Sequence, residues 1–402
     1  MLPPEILDHL FSFLKSDPSA LKASARAHPA FSRLVERHLY AHITVSCTNE
    51  APNEHTFSSI QLRKLLSDKH HISNYVYSLE ILANRLEDSP LFPHEESDLA
   101  IPPILGQLPN LRRVVLRSRG NFWELLVEEL RRAFLECLRL PSIKEVSVRG
   151  LYGFPLSALH DCSGLKYLLI EGECSHLDAT SNRLFPPLES LSVYNCSTLT
   201  RFVAWAKLGA LRSLEFQGTS QQYFDKLPEL LEACSGTLTS LVLGLHNSCK
   251  YCLNIAFLWA VIQCLSVHTE HNPFPVNLSS LPLLEELTIR ASVYTDQLRI
   301  YSSSLPRIAH LLLTPGPTPT LKYLTFYLDF DVRRTFYLSA IDWTPLVLVI
   351  VICIQTLHRV EVRVTNKKYI ENIPSANILS SLEDHKTLTD LVERGPLIMV
   401  AE

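Results

Sequence analysis

Glycine is scarce in this 402-residue chain: 12 residues, about 3%, where about 7% is usual. No G-x-G-x-x-G, P-loop lysine motif or G-x-S-x-G occurs. Loops that cradle phosphate need glycine so that the backbone can come close. Nucleotide-binding enzymes and hydrolases of the nucleophile-elbow type are therefore disfavoured. Charge of one sign is lacking too. The 37 Lys+Arg against 41 Asp+Glu leave a net charge of −4, which argues against gripping nucleic acid or an anionic membrane by bulk charge. Long apolar runs are missing: the longest, Leu346 to Ile354, has nine residues, and a bilayer span needs about 20. Ten cysteines lie between Cys47 and Cys353 with no regular spacing, unlike a disulfide scaffold. The opening Met-Leu-Pro-Pro-Glu has neither a basic n-region nor a long apolar stretch, so no signal peptide is expected. The expected setting is intracellular, cytoplasmic and/or nuclear, with reduced thiols. Asn195-Cys-Ser and Asn277-Leu-Ser match the glycosylation pattern without meaning there.

What is present begins with helix signals. Pro3-Pro4 suits a first helical turn, where a missing N–H costs nothing. Ile6, Leu7, Leu10, Phe11, Phe13 and Leu14 then fall in an apolar arc of roughly 160°, too wide for a single neighbour. Ser16-Asp17-Pro18 supplies a turn, an N-cap and an N1 proline for a second helix that must stop before Pro29. A third follows with Phe31, Leu34, Val35 and Leu39 on one face.

The run Leu2-Pro3-Pro4-Glu5-Ile6-Leu7, with Leu10-Phe11 and Phe13-Leu14, resembles the opening of an F-box. His28-Pro-Ala-Phe31-Ser-Arg-Leu34 through Leu39-Tyr40 resembles its second half as found in large fungal families. Ser24, Arg26 and Ala27 stand where that family more often has Cys and apolar residues. The resemblance implies a three-helix F-box over 1–42 that docks the Skp-type adaptor of a cullin–RING ubiquitin ligase. Leu2, Pro3, Ile6, Leu7, Leu10, Phe11 and Leu14 would carry the contact.

From residue 43 onward a spaced apolar pattern recurs. Copies run Leu108/Leu111/Val114/Leu116, Leu140/Ile143/Val146/Val148, Cys162/Leu165/Leu168/Ile170, Phe185/Leu188/Leu191/Val193 and Leu208/Leu211/Leu214/Phe216. Further copies are Leu238/Leu241/Leu243, Leu281/Leu284/Leu287/Ile289, Leu321/Leu324/Phe326 and Ile354/Leu357/Val360/Val362, with an earlier one at Val76/Leu79/Ile81. The last two apolar positions are two apart, so both point to one side of a strand. The pattern resembles a degenerate leucine-rich repeat. The expected fold class is α/β: the F-box, then an irregular solenoid over 43–402. It would have about ten repeats, a parallel sheet on the concave face, helices on the convex face and a C-terminal cap. Steps average about 31 residues against a usual 20–29, so the long late gaps should hold extra helices. Helices are expected over Phe122–Leu138, with a Glu128–Arg132 pair, and over Tyr223–Cys234, Leu253–Leu265 and Ile378–Glu393. Leu397 to Val400 reads as a last strand.

Little catalytic chemistry is legible. Cys249-Lys-Tyr-Cys252, followed by Cys264, His268 and His271, is a lone C-x-x-C interrupted by an apolar helix, a weak zinc signal. His70-His71 reads as solvated, and Asp329-Phe-Asp331 as surface polarity beyond a strand. No enzyme activity, cofactor or metal is expected. The outward strand positions carry mixed charge and tyrosines, residue types that dominate protein–protein hot spots. Arg113, Arg117, Arg149, Tyr167, Tyr194, Arg290, Tyr323, Tyr327 and Arg359 are the expected contacts for a protein substrate, not nucleic acid or membrane. Val115, Ser147 and Glu361 are also expected on that face. The architecture thus resembles an F-box/leucine-rich-repeat substrate receptor. The alternative is a repeat scaffold whose F-box-like helices only cap the array.

Overall fold

The structure is a computed structural model. It describes residues 3–15, 17–47, 56–83, 99–175, 185–196, 208–218, 227–245, 278–296, 299–301, 320–332, 357–366 and 397–401. The chain forms two compact units, Met1–Leu188 and Glu189–Glu402. Both are α/β and built on parallel strands. Among the described residues no helix is long and apolar enough to cross a membrane.

The first unit opens with three helices, α1 (Pro4–Phe13), α2 (Pro18–Ala27) and α3 (Pro29–Tyr40). Each carries proline in its first turn, as expected for α1 and α2; Pro29, expected only as the stop for α2, also opens α3. Asp17 caps α2 by accepting from the Ala20 N–H at 2.9 Å, and His28 Nδ1 caps α3 by accepting from Ala30 at 3.1 Å. Phe11, Leu21 and Val35 form the buried centre, with Leu7, Leu14, Ala25, Phe31, Leu34 and Leu39 packed around them.

Strands β1 (His42–Ser46), β2 (Thr56–Ser58) and β3 (Ser78–Leu82) follow. Helix α4 (Ser59–Asp68) lies between the last two, behind a Ser58/Gln61 capping box. Next come α5 (Ile101–Gly106), β4 (Arg113–Phe122), α6 (Glu128–Leu138) and β5 (Glu145–Tyr152). The order β2-β1-β3-β4-β5-β7 is parallel throughout, β7 being Tyr167–Glu171. Short β6 (Phe154–Pro155) and β8 (Cys174–Ser175) pair separately. Neither β1 nor β2 was among the expected repeat copies; β1 has the inward pair Ile43 and Val45 without the preceding spaced leucines.

In the second unit β9 (Ser190–Tyr194), β10 (Ser213–Gly218), β11 (Ser240–Leu245), β12 (Glu286–Asp296), β14 (Tyr323–Val332), β15 (Arg359–Asn366) and β16 (Leu397–Ala401) pair in that order, all parallel. Strand β13 (Arg299–Tyr301) folds back antiparallel on β12. Helix α7 (Leu227–Cys234) precedes β11.

The two inward positions of each copy fall into register. Leu79 pairs with Val114, then Val146, then Leu168; Ile81 with Leu116, Val148 and Ile170. In the second unit Leu191, Leu214, Leu241, Leu287, Leu324, Val360 and Leu397 form one row, and Val193, Phe216, Leu243, Ile289, Phe326 and Val362 the next. All of these are buried. Burying each such side chain contributes about 1.5–3 kcal/mol, so a slip by one residue would turn a whole row to solvent.

Several local expectations are corrected. The helix expected over Phe122–Leu138 begins only at Glu128. Trp123 is buried edge-on against Phe134 and Phe154, which holds 123–125 in a 3₁₀ turn, and Leu126 and Val127 are extended. Glu128 pairs with Arg131, not Arg132. Leu140 is exposed instead of buried. Strand β14 runs on to Val332, so Asp329 lies within the sheet and accepts a hydrogen bond from Thr365. Helix α7 confirms Leu227–Cys234 of its segment. Residues 223–226, the expected helices Leu253–Leu265 and Ile378–Glu393, the C-x-x-C with its histidines, and the long late gaps lie outside the described residues, as does Leu2.

Candidate partner-binding surfaces

Two surfaces stand out, one on α1 and one on the second unit's sheet. The α1 arc divides. Leu7, Phe11 and Leu14 turn into the three-helix core. Ile6, Leu10 and Phe13 stay 49%, 47% and 68% exposed. With exposed Pro3 they form a stripe at spacings of three, four and three residues, one face of a helix. An edge-on contact between His9 and Phe13, centroids 4.9 Å apart, orients the outermost ring. Of the expected adaptor residues, the structure leaves Pro3, Ile6 and Leu10 on the surface. It turns Phe11 fully inward. Phe13 was missing from that set, although its place seven residues after Ile6 signals the same face.

Behind α1, Asp8 meets His38 of α3 at 2.9 Å. On the other side of α3, Glu36 accepts from Lys69 Nζ at 2.8 Å and lies 2.9 Å from His71 Nε2. His71 is exposed, as expected, and is also a partner of Glu36. Burial raises the Glu36 pKa, but the bonds from Lys69 and His71 outweigh it and hold the carboxyl below its usual range. Lys69 is raised in turn, chiefly by its bond to Glu36.

The first unit's outward sheet positions close on themselves. Arg117 and Glu80 approach to 3.8 Å. Arg113 Nε lies 3.0 Å from Glu145 Oε1, without hydrogen-bond alignment. Arg149 Nε donates to Ser147 Oγ at 3.1 Å. Val115 and Ser147, expected in solvent, are buried, Ser147 beneath the side chain of Arg149 two residues on. Tyr167 on β7 is exposed.

In the second unit the same three rows make a trough. One wall is Glu286, Tyr323 and Arg359; the floor is Thr288, Thr325 and Glu361; the other wall is Arg290, Tyr327 and Arg363. A depression of about 330 Å³ opens over β12, β14 and β15, lined by Glu286, Thr288, Tyr323, Thr325, Arg359, Glu361 and Arg363. Arg359 Nη2 and Arg363 Nε donate to the two oxygens of Glu361, at 2.9 and 2.7 Å. Glu361 is buried, against its expected place in solvent. The guanidinium carbons of Arg290 and Arg363 lie 5.5 and 5.2 Å from the Tyr327 ring centroid, within cation–π range. Arg290 Nη1 also reaches past β11 to Glu215 Oε1, at 2.7 Å. The Gln217 side chain lies over Gly244 of β11, where a Cβ would collide with it.

The trough thus gathers Arg290, Tyr323, Tyr327 and Arg359 from the expected contacts. Tyr194 is half-buried on β9, and Arg113, Arg117, Arg149 and Tyr167 belong to the first unit. Glu361 and Arg363 were missing from that set. Their signal was Arg359-Val-Glu361-Val-Arg363, which puts three charges on one face of a strand.

The six described cysteines are buried and outside disulfides. Burial pushes the Cys137, Cys162 and Cys234 thiols up to about 12, so their environment is that of structural packing and not of a nucleophile. No protein-family model and no curated protein matches the chain.

Proposed function

We propose that the chain is a non-catalytic substrate receptor of a Skp–cullin–F-box type ubiquitin ligase. The three helices would act as the F-box, and the parallel strands as degenerate leucine-rich repeats whose outward face holds a protein substrate. The chain would contribute proximity, bringing substrate lysines near a charged ubiquitin carrier supplied by its partners. One observation carries this reading: Ile6, Leu10 and Phe13 remain exposed on α1, which fits a helix face waiting for an apolar groove. The quoted sequence resemblance and the registered inward rows support it.

The scaffold alternative has its own observation. Helix α3 is fastened to the Lys69–His71 segment through Glu36, as an end cap would be. A cap built on α3 leaves the α1 stripe without a role. The test is capture by a purified Skp-type adaptor. Ile6→Asp with Leu10→Asp should abolish capture while circular dichroism stays unchanged, since neither side chain belongs to the buried centre. A folded native chain that the adaptor does not capture would leave the scaffold reading.

A further inference from the structure

The trough in the second unit presents its charges at different depths. The carboxylates are lowest: the side chains of Glu361 and Glu215 are 8% and 18% exposed. The guanidinium groups stand over them, Arg359 at 47%, Arg290 at 38% and Arg363 at 33%. Three cations thus outnumber the two carboxylates they hold, and they form the outer layer. A carboxylate clamped between two guanidiniums also fixes them in place, so less side-chain entropy is lost when they bind. Other charges shape the field. Glu286 is exposed on the β12 wall, and Asp329 lies two residues beyond Tyr327, bonded by Thr365. Glu286 disfavours an anion on the β12 side, and Asp329, bonded by Thr365 of β15, disfavours one beyond Arg363, leaving the stretch of β15 from Arg359 to Arg363, beside exposed Tyr323, as the most favourable seat for one.

We propose that this trough binds an acidic peptide segment, seating an Asp or Glu carboxylate at the Arg359/Arg363 end with Tyr323 packed along the peptide backbone. The assignment rests on the receptor reading only in naming the segment as substrate; the recognition chemistry is independent of it. Arginine suits the role because its planar fork matches a carboxylate. The low threonine floor of Thr288 and Thr325 leaves room for an extended chain.

The experiment is fluorescence anisotropy of the full-length chain with a fluorescein-labelled peptide of alternating Glu and Gly, and with its Lys/Gly counterpart. The acidic peptide should bind, and the basic one should bind at least about tenfold more weakly. Arg359→Gln should weaken acidic-peptide binding by about tenfold. Because that change also loosens Glu361, a second variant is needed that removes no contact. Glu286→Arg on the exposed rim should strengthen binding severalfold, and higher salt should reverse the gain. Equal binding of the two peptides, or no gain from Glu286→Arg, would overturn the proposal. Adaptor capture by the same preparations keeps the readings apart. Peptide binding without capture leaves the trough and removes the ligase receptor; capture without peptide binding does the reverse.

Discussion

The two units use the same strand plan and treat its outward face differently. In the first, the middle outward row is Val115, Ser147 and Leu169, where Val115 and Ser147 are buried and Arg149 bonds to Ser147. In the second, the matching row is Thr288, Thr325 and Glu361. There one tyrosine ring lies near two guanidiniums and one buried carboxylate is shared by two arginines. Stacked parallel strands therefore fix where side chains start, about 4.8 Å apart, and the residue types in three adjacent rows decide whether the face is closed or grooved.

The comparison is sharpest where it predicts sameness. Leu79 and Leu324 are both fully buried, each at the first inward position of its strand. Leu79→Ala and Leu324→Ala should each cost about 3 kcal/mol in urea unfolding. A cost below about 1 kcal/mol in one unit alone would show that its inward rows are not equivalent to the other's.

The outward faces should differ. Glu361→Gln removes a buried carboxylate from two guanidiniums and should cost about 1–2 kcal/mol, held down by the partial exposure of both arginines. Glu145→Gln on the first unit touches only a solvated pair and should cost less than about 0.5 kcal/mol. Equal losses in urea melts would erase the distinction between a closed and a built face.

The inward face was legible because it obeys one rule: apolar residues two apart, repeated, with a fixed spacing before them. Even irregular gaps did not obscure which leucines pair, since register follows from burial of both members. The outward face follows no single period. Whether Ser147 or Glu361 is buried depends on side chains from the same strand and the next. That is a matter of length and charge, which periodicity does not encode. Likewise α1 revealed its whole apolar arc in sequence, but the division into Phe11 inward and Phe13 outward depended on where α2 and α3 came to rest. Trp123 shows the same limit: a helical pattern from Phe122 gave way because one large ring found a better place against Phe134 and Phe154.

Two carboxylates are each held by two basic partners: Glu36 by Lys69 and His71, and Glu361 by two arginines. Arginine stays charged at every accessible pH, whereas Glu36 has Lys69, a raised amine, as a partner. Glu36 has a lowered folded pKa, so its stabilisation is full above the usual carboxylate range and is lost as pH falls through the lowered value. Lys69, raised by Glu36, adds stability that is full below the usual lysine value and lost as pH climbs through the raised one. Glu36→Gln should therefore cost up to about 1 kcal/mol near neutral pH. It should cost almost nothing once the pH is low enough to protonate Glu36 in the folded chain. Thermal melts of the native chain and the variant across acidic pH would show the two curves converging. A constant gap down to the most acidic point would mean that Glu36 acts by packing alone, and that the fastening of α3 does not depend on its charge.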